Sequence, residues 1–194
     1  RTADISFFAT DVGVADYLSH PDEALRPAIE NRLREYASKY TVYGNIYLFD
    51  PACRLRASLQ PVSGLDSETP LQGADAAFLR EVLASDAAYT EHFAIHSFSR
   101  IKDRPTLVYA HRVVADGKVV GVVCLGFRMA DEMPAIFASI QGNDLAHGND
   151  VVLALTDDRG EVLASSDAHQ LPPGWMTSWQ LPPGQRSGAF MLQH

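Results

Sequence analysis

The stretch IYLFDPACRLRAS, residues 46–58, has a near copy a little over a hundred residues later in LALTDDRGEVLAS, residues 153–165. Aligned without gaps, Leu48 meets Leu155, Asp50 meets Asp157, Leu55 meets Val162, Ala57 meets Ala164 and Ser58 meets Ser165. Each copy is an apolar run, an acidic turn and a second apolar run ending in Ala-Ser. That is a β-hairpin used twice, and a repeat of this kind constrains the fold before any other feature does. The expectation is two superposable hairpins in two separate sheets.

Around the first copy the pattern runs as follows. Residues 4–18 carry Ile5, Phe8, Val12 and Ala15 at helical spacing, widened by Phe7, Val14 and Leu18, which predicts one helix with a broad apolar stripe. Such a stripe marks a partner surface, and a second copy of the same helix is its natural partner. Leu25, Ile29, Leu33, Tyr36 and Tyr40 carry a helical stripe to about residue 40, with Pro27 imposing a kink or a late start. Residues 45–50 and 54–59 are strands around a turn at Pro51–Cys53. Residues 74–85 form a short helix and 89–96 a third strand. Residues 104–115 and 118–129 are two long strands joined by Asp116-Gly117, a dipeptide that suits a type I′ turn with positive φ at both positions. Residues 131–141 predict a linking helix. After the second hairpin come a Pro-rich loop and two short strand candidates.

The resulting order over residues 41–129 is β-β-α-β-β-β, the arrangement of PAS-like domains. The fold class is therefore α+β: a long N-terminal helix, a five-stranded antiparallel PAS-like module, and a second, smaller or incomplete PAS-like module. The expected divisions are a helical segment 1–40, a first module 41–130, a linker helix 131–149 and a second module 150–194.

Composition removes several functions. The net charge is -8, which disfavours a nucleic-acid surface, because phosphate binding needs clustered positive charge. No apolar run approaches the roughly 20 residues needed to cross a bilayer, and no signal peptide is visible. The chain opens on Arg1 without an initiator Met, so it is expected to be an excised piece, with membrane segments outside it. The two cysteines are too few for a disulfide framework. Cys53 is placed in a hairpin turn and Cys124 in a core strand. No Gly-x-Ser-x-Gly, Walker or Gly-x-Gly-x-x-Gly motif occurs, so an enzyme reading has nothing behind it, and no cofactor is expected. His92 and His96 share one strand face and, with His111, form the best zinc candidate, without a supporting motif. Asp50, Asp157 and Asp158 fall at hairpin turns, where Asp is favoured for turn hydrogen bonding rather than catalysis.

Taken together, YLFDPACRLRASL, the pair RPTLVYAHRVV and GKVVGVVCLGF, and the duplication resemble a double Cache (PAS-like) extracytoplasmic sensor domain of a bacterial transmembrane receptor. The resemblance covers nearly the whole chain. It implies a periplasmic ligand-sensing domain, anchored by membrane helices on both sides, dimeric in the full receptor, and coupled to a kinase, cyclase or chemotaxis module. Amino-acid-binding members of that family use a Tyr, an Arg-x-Trp-Tyr cluster, another Tyr, and an Asp at the end of the last strand. This chain has no Arg-x-Trp-Tyr, and Gly126 stands at the Asp position, which argues against a standard amino-acid ligand.

If Asp116 and Gly117 are the two turn residues, regular pairing sets Ala115 against Lys118, Val113 against Val120, His111 against Val122, Tyr109 against Cys124 and Leu107 against Gly126. Tyr109, His111, Gly126 and Arg128 then share one face, which the resemblance makes the ligand face. A phenol, an imidazole and a guanidinium around a glycine suit a small polar or anionic ligand, with a carboxylate favoured. The loop 97–104 with its flanking His96 would border the mouth, adding His96 and Arg104. A one-residue slip in register would exchange the faces. The competing readings are a ligand-free dimerising or protein-contact module and a cytosolic PAS domain with a bound cofactor.

Overall fold

The computed structural model describes residues 2–62, 67–94, 98, 106–145, 151–156 and 159–177. The chain divides into two compact units, Arg1–Arg128 and Met129–His194.

The first unit opens with helices α1 (Thr2–Ala9), α2 (Val12–Ser19) and α3 (Arg26–Lys39). The single helix predicted over residues 4–18 is thus two. The break is chemical: Asp11 has extended backbone angles and its Oδ1 accepts the Val14 N–H at 3.0 Å, so it caps a new helix rather than continuing the old one. Arg32 of α3 donates to both Asp11 carboxylate oxygens, with its Nη2 2.5 Å from Oδ2, and fixes the break against the third helix. Pro27 lies in the first turn of α3, giving the late start, where its missing N–H breaks no helical bond.

Strands β1 (Tyr43–Phe49) and β2 (Leu55–Ser58) form the first hairpin; helix α4 (Gly73–Ala84) follows, then β3 (Thr90–Ala94), β4 (Thr106–Ala115) and β5 (Lys118–Phe127). They make one five-stranded antiparallel sheet in the order β2-β1-β5-β4-β3. Asp116 and Gly117 both have positive φ, 49° and 73°, as the type I′ turn requires. Asp50 is buried at the turn of the first hairpin. It accepts the Ala52 and Arg54 N–H groups, each at 2.9 Å, and pairs with Arg56 at 2.8 Å, the turn role expected of it.

One face of the sheet is closed by α1 and α2, which lie against β4 and β5. Ile5, Phe8, Val14 and Leu18 are buried there. Each such side chain contributes on the order of 1.5–3 kcal/mol by leaving water. The other face carries the core of Tyr47, Phe49, Val108, Ala110, Val122 and Cys124 under Phe78, Leu79 and Val82 of α4. Both cysteines are buried free thiols.

The second unit contains α5 (Met129–Leu145) and a two-stranded sheet of β6 (Ala154–Thr156) and β7 (Val162–Ser165). Its hairpin repeats the first residue for residue. Tyr47↔Ser58, Leu48↔Ala57 and Phe49↔Leu55 correspond to Ala154↔Ser165, Leu155↔Ala164 and Thr156↔Val162, with the irregularity at the same step. The two hairpins stand in separate sheets, as the duplication predicts.

Candidate functional site

The β4–β5 register decides which side chains share a face, and it departs from the sequence expectation. Ala115 pairs with Lys118, but the next pair is Val114↔Val119, and a bulge then shifts the ladder to Val113↔Gly121. Beyond it Tyr109 pairs with Leu125, Val108 with Gly126 and His111 with Val123. A bulge inserts one residue on one strand and exchanges the faces beyond it. Tyr109 and His111 therefore share a face with Val123 and Leu125. Gly126 shares the opposite face with Val108, Ala110 and Cys124. The single-face cluster of Tyr109, His111, Gly126 and Arg128 does not form.

Gly121 gives the reason. A Cβ at this position would lie 2.3 Å from the Phe49 carbonyl oxygen and 3.0 Å from a Leu18 methyl. The backbone of β1 and the tip of α2 thus meet β5 at the bulge, where only a glycine fits.

Each expected site residue then has a definite place. Tyr109 is 8% exposed, on the face against the N-terminal helices, with the Tyr89 ring centroid 6.1 Å away. The Nδ1 of His111 lies 2.6 Å from the Arg112 carbonyl oxygen, a contact that requires the proton on Nδ1. Arg128 is exposed; its N–H donates to the Val42 carbonyl at 2.8 Å and its side chain lies over Gly44. His96 and Arg104 lie outside the described residues. The zinc candidate fails on geometry, since His92 pairs with Val108 and so shares the Gly126 face while His111 takes the other. No group of potential metal ligands occurs among the described residues.

The Gly126 face is enclosed. Phe98, the described residue of the 97–104 loop, is buried against Tyr47 and Phe49 with ring centroids 5.4 and 5.1 Å away. α4 presents Asp75, Ala76, Phe78, Leu79 and Val82 as its buried residues. His92, Val108 and Gly126 form one cross-strand row on β3, β4 and β5. The His92 ring stacks on Phe78 at 4.8 Å and 29°. Burial lowers the His92 pKa below its ordinary value, partly opposed by Asp75. Burial also raises the Cys124 thiol pKa far above its ordinary value, so Cys124 is an inert wall, not a nucleophile. The sequence reading overlooked Asp75 and Phe98. Asp75 was legible, because it occupies a place in the apolar stripe shared with Phe78, Leu79 and Val82.

This α+β architecture, with strand order β2-β1-β5-β4-β3 and a helix across one face, defines a PAS-like module. No family model and no curated protein matches the sequence. Solved structures match its fold. The sensor domain of the V. cholerae histidine kinase DctB aligns with a TM-score of 0.61 at 20% identity, over 88% of this chain and 60% of that one. The ligand-binding domain of the Campylobacter jejuni chemoreceptor Tlp3 in complex with 4-methylisoleucine aligns with a TM-score of 0.61 at 17% identity, over 92% of this chain and 67% of that one. The same domain with L-norvaline gives 0.59 at 17% identity, over 90% and 65%. The fold of this chain is that of the Cache-type extracytoplasmic sensor domains. It spans 60% of the length of the DctB sensor domain.

Proposed function

We propose that this chain is the small-molecule-sensing domain of a bacterial receptor, exposed outside the cytoplasm, and that its ligand lies between α4 and the sheet face bearing Gly126. The observation that carries this reading is the difference between the two faces. One is filled by α1 and α2. The other is covered by α4 and walled by Val108, Ala110, Val122 and aromatic rings; it carries Gly126, with His92 two strands away in the same cross-strand row and Asp75 among the buried residues of α4. Buried polar groups amid apolar walls are the usual composition of a ligand site. The solved structures of like fold support the same reading, since those chains are sensor and ligand-binding domains. The preference for a carboxylate has lost its main support, because Arg128 is exposed and Tyr109 and His111 face the N-terminal helices.

In the full receptor we infer a homodimer through the N-terminal helices, where Phe7 and Val12 remain 54% and 72% exposed. A ligand that prefers one arrangement of those helices would shift their population and pass the signal on. Among the described residues no helix is long and apolar enough to cross a membrane, so anchoring is assigned to segments outside these residues.

A thermal-shift screen of small amines, carboxylates and amino acids tests the reading. A ligand at a hundred times its Kd stabilises by about 2.7 kcal/mol, so at least one compound raises Tm by several degrees in a saturable way. A ligand-free spacer shows no shift with any compound, and a cofactor-bound PAS domain is coloured when purified.

A further inference from the structure

Only Thr10 and Asp11 separate α1 from α2, and neither is a glycine or a proline. The helical ladder is interrupted by a side chain instead. The Val14 N–H, which in one continuous helix would bond the Thr10 carbonyl, bonds the Asp11 carboxylate at 3.0 Å. The break comes down to one dihedral angle. Asp11 has φ of -69° and ψ of 121°. That φ is already helical, and only ψ departs from the helical value of about -42°. On either side the backbone keeps helical bonds: the Thr10 N–H donates to the Ser6 carbonyl at 3.1 Å, and the Ala15 N–H to the Asp11 carbonyl at 3.0 Å.

What holds that angle sits on another element. The Arg32 guanidinium of α3 donates to both Asp11 oxygens, from Nε at 3.0 and 3.1 Å and from Nη2 at 2.5 Å. Gly13 leaves room for this fork, since a Cβ there would lie 3.3 Å from Asp11 Oδ1 and 3.4 Å from Arg32 Nε. The tie is a weak one, because the Arg32 side chain is half exposed and water screens its charge. It also joins separately supported parts, for α1 and α2 lie against β4 and β5 while α3 lies against β2. The broken setting leaves Val12 72% exposed. In a continuous helix Ile5, Phe8, Val12 and Ala15 fall on one face. Straightening lifts α1 from the sheet and uncovers Ile5 and Phe8, so the stripe then needs a second surface. The same stripe on a second copy of the chain is self-complementary and supplies one. We propose that Asp11 is a one-angle switch between α1 and α2, latched in its broken setting by Arg32, and that release of the latch joins residues 2–19 into one helix whose apolar stripe meets a second copy of the chain. The sensing reading gives the switch its use, as the equilibrium that a ligand biases, but the switch is observable without any ligand.

NMR reads the switch directly. The Asp11 Cα and carbonyl chemical shifts report its ψ, and exchange of the Val12 and Gly13 amides reports whether they gain the Phe8 and Ala9 carbonyls. Both are measured on the chain, on Arg32→Ala, and on Gly13→Ala, which crowds the latch without removing either partner. Arg34→Ala is the control, because Arg34 pairs with Glu30. The Val122 and Val123 amide shifts verify that the sheet of each variant is folded. Arg32→Ala and Gly13→Ala move Asp11 toward helical shifts and slow exchange at Val12 and Gly13. In sedimentation they dimerise at about tenfold lower concentration than the chain, while Arg34→Ala matches the chain. Asp11 shifts that stay extended in both folded latch variants, or faster exchange at Val12 and Gly13, mark a purely structural pair and overturn the switch. An equal change in Arg34→Ala overturns Arg32 as the latch. A helical Asp11 with no gain in dimerisation overturns the second copy as the receiving surface. The sensing reading stands or falls separately, on the thermal-shift screen.

Discussion

Cys53 and Gly160 occupy the same place in the two hairpins, and both have left-handed backbone conformations, with φ of 62° and 87°. Each accepts at its carbonyl the amide of a returning segment, Leu71 N–H at 2.9 Å for Cys53 and Thr177 N–H at 2.9 Å for Gly160. The neighbouring bridges, Arg54↔Pro70 and Glu161↔Met176, repeat as well. The duplication therefore reaches past the hairpin into the segment that leaves it, where the two sequences no longer look alike.

Gly160, with φ of 87°, lies further from the left-handed minimum at about 57° than Cys53 does, so a Cβ is tolerated less there. Gly160→Ala destabilises the second hairpin by about 1–2 kcal/mol. Hydrogen exchange at the Val162 and Thr177 amides reports it, with faster exchange in the variant and no change at the Leu71 amide of the first hairpin.

Gly121→Ala forces a Cβ to within 2.3 Å of the Phe49 carbonyl oxygen. Overpacking of this kind costs about 1–3 kcal/mol or more, and the clash is with backbone, which cannot rotate away. Urea denaturation gives a lower midpoint for Gly121→Ala, and equal stability would mean that β1 does not approach β5 this closely.

Asp11→Ala removes the cap of α2 and the partner of Arg32 together. A lost cap alone costs about 0.5–2 kcal/mol. Arg32→Ala costs less, because Arg32 is half exposed and its charge is screened by water. The order of the two variants in a denaturant titration checks the assignment of the capping bond as the dominant interaction.

His92 makes stability depend on pH in a stated direction. Burial lowers its folded pKa below the ordinary value of 6.5, against the opposing pull of Asp75 on α4. The unfolded chain therefore takes up the proton first as pH falls. The stabilisation is complete above about pH 6.5 and is lost as pH falls through the folded value. The stability difference between the chain and His92→Phe should shrink on acidification from pH 7.5 to 5.5; a difference independent of pH would place the imidazole in water.

The element order, the type I′ turn, the turn role of Asp50 and the duplication were legible because each rests on a short local pattern. The helix break was written at Asp11 but lost in a broad apolar stripe, since a capping Asp and a surface Asp look alike until the next helix is in place. The faces of β4 and β5 were not legible. Their inversion comes from a bulge at Val113–Val114, where close approach of β1 and Leu18 to Gly121 joins segments far apart in sequence. One shifted residue moved Tyr109 and His111 away from Gly126. The same shift brought Gly126 onto the face of His92, under α4.

Val122 and Val123 are adjacent in sequence and lie on opposite faces of β5, so their methyl groups separate the two candidate sites within one strand. Methyl NMR of the chain during addition of any compound that raises Tm in the screen tests the central claim most directly. Binding between α4 and the sheet shifts Val108, Ala110 and Val122 and leaves Leu107, Val123 and Leu125 in place. Shifts confined to Leu107, Val123 and Leu125 would contradict the account, returning the site to the face of Tyr109 and His111.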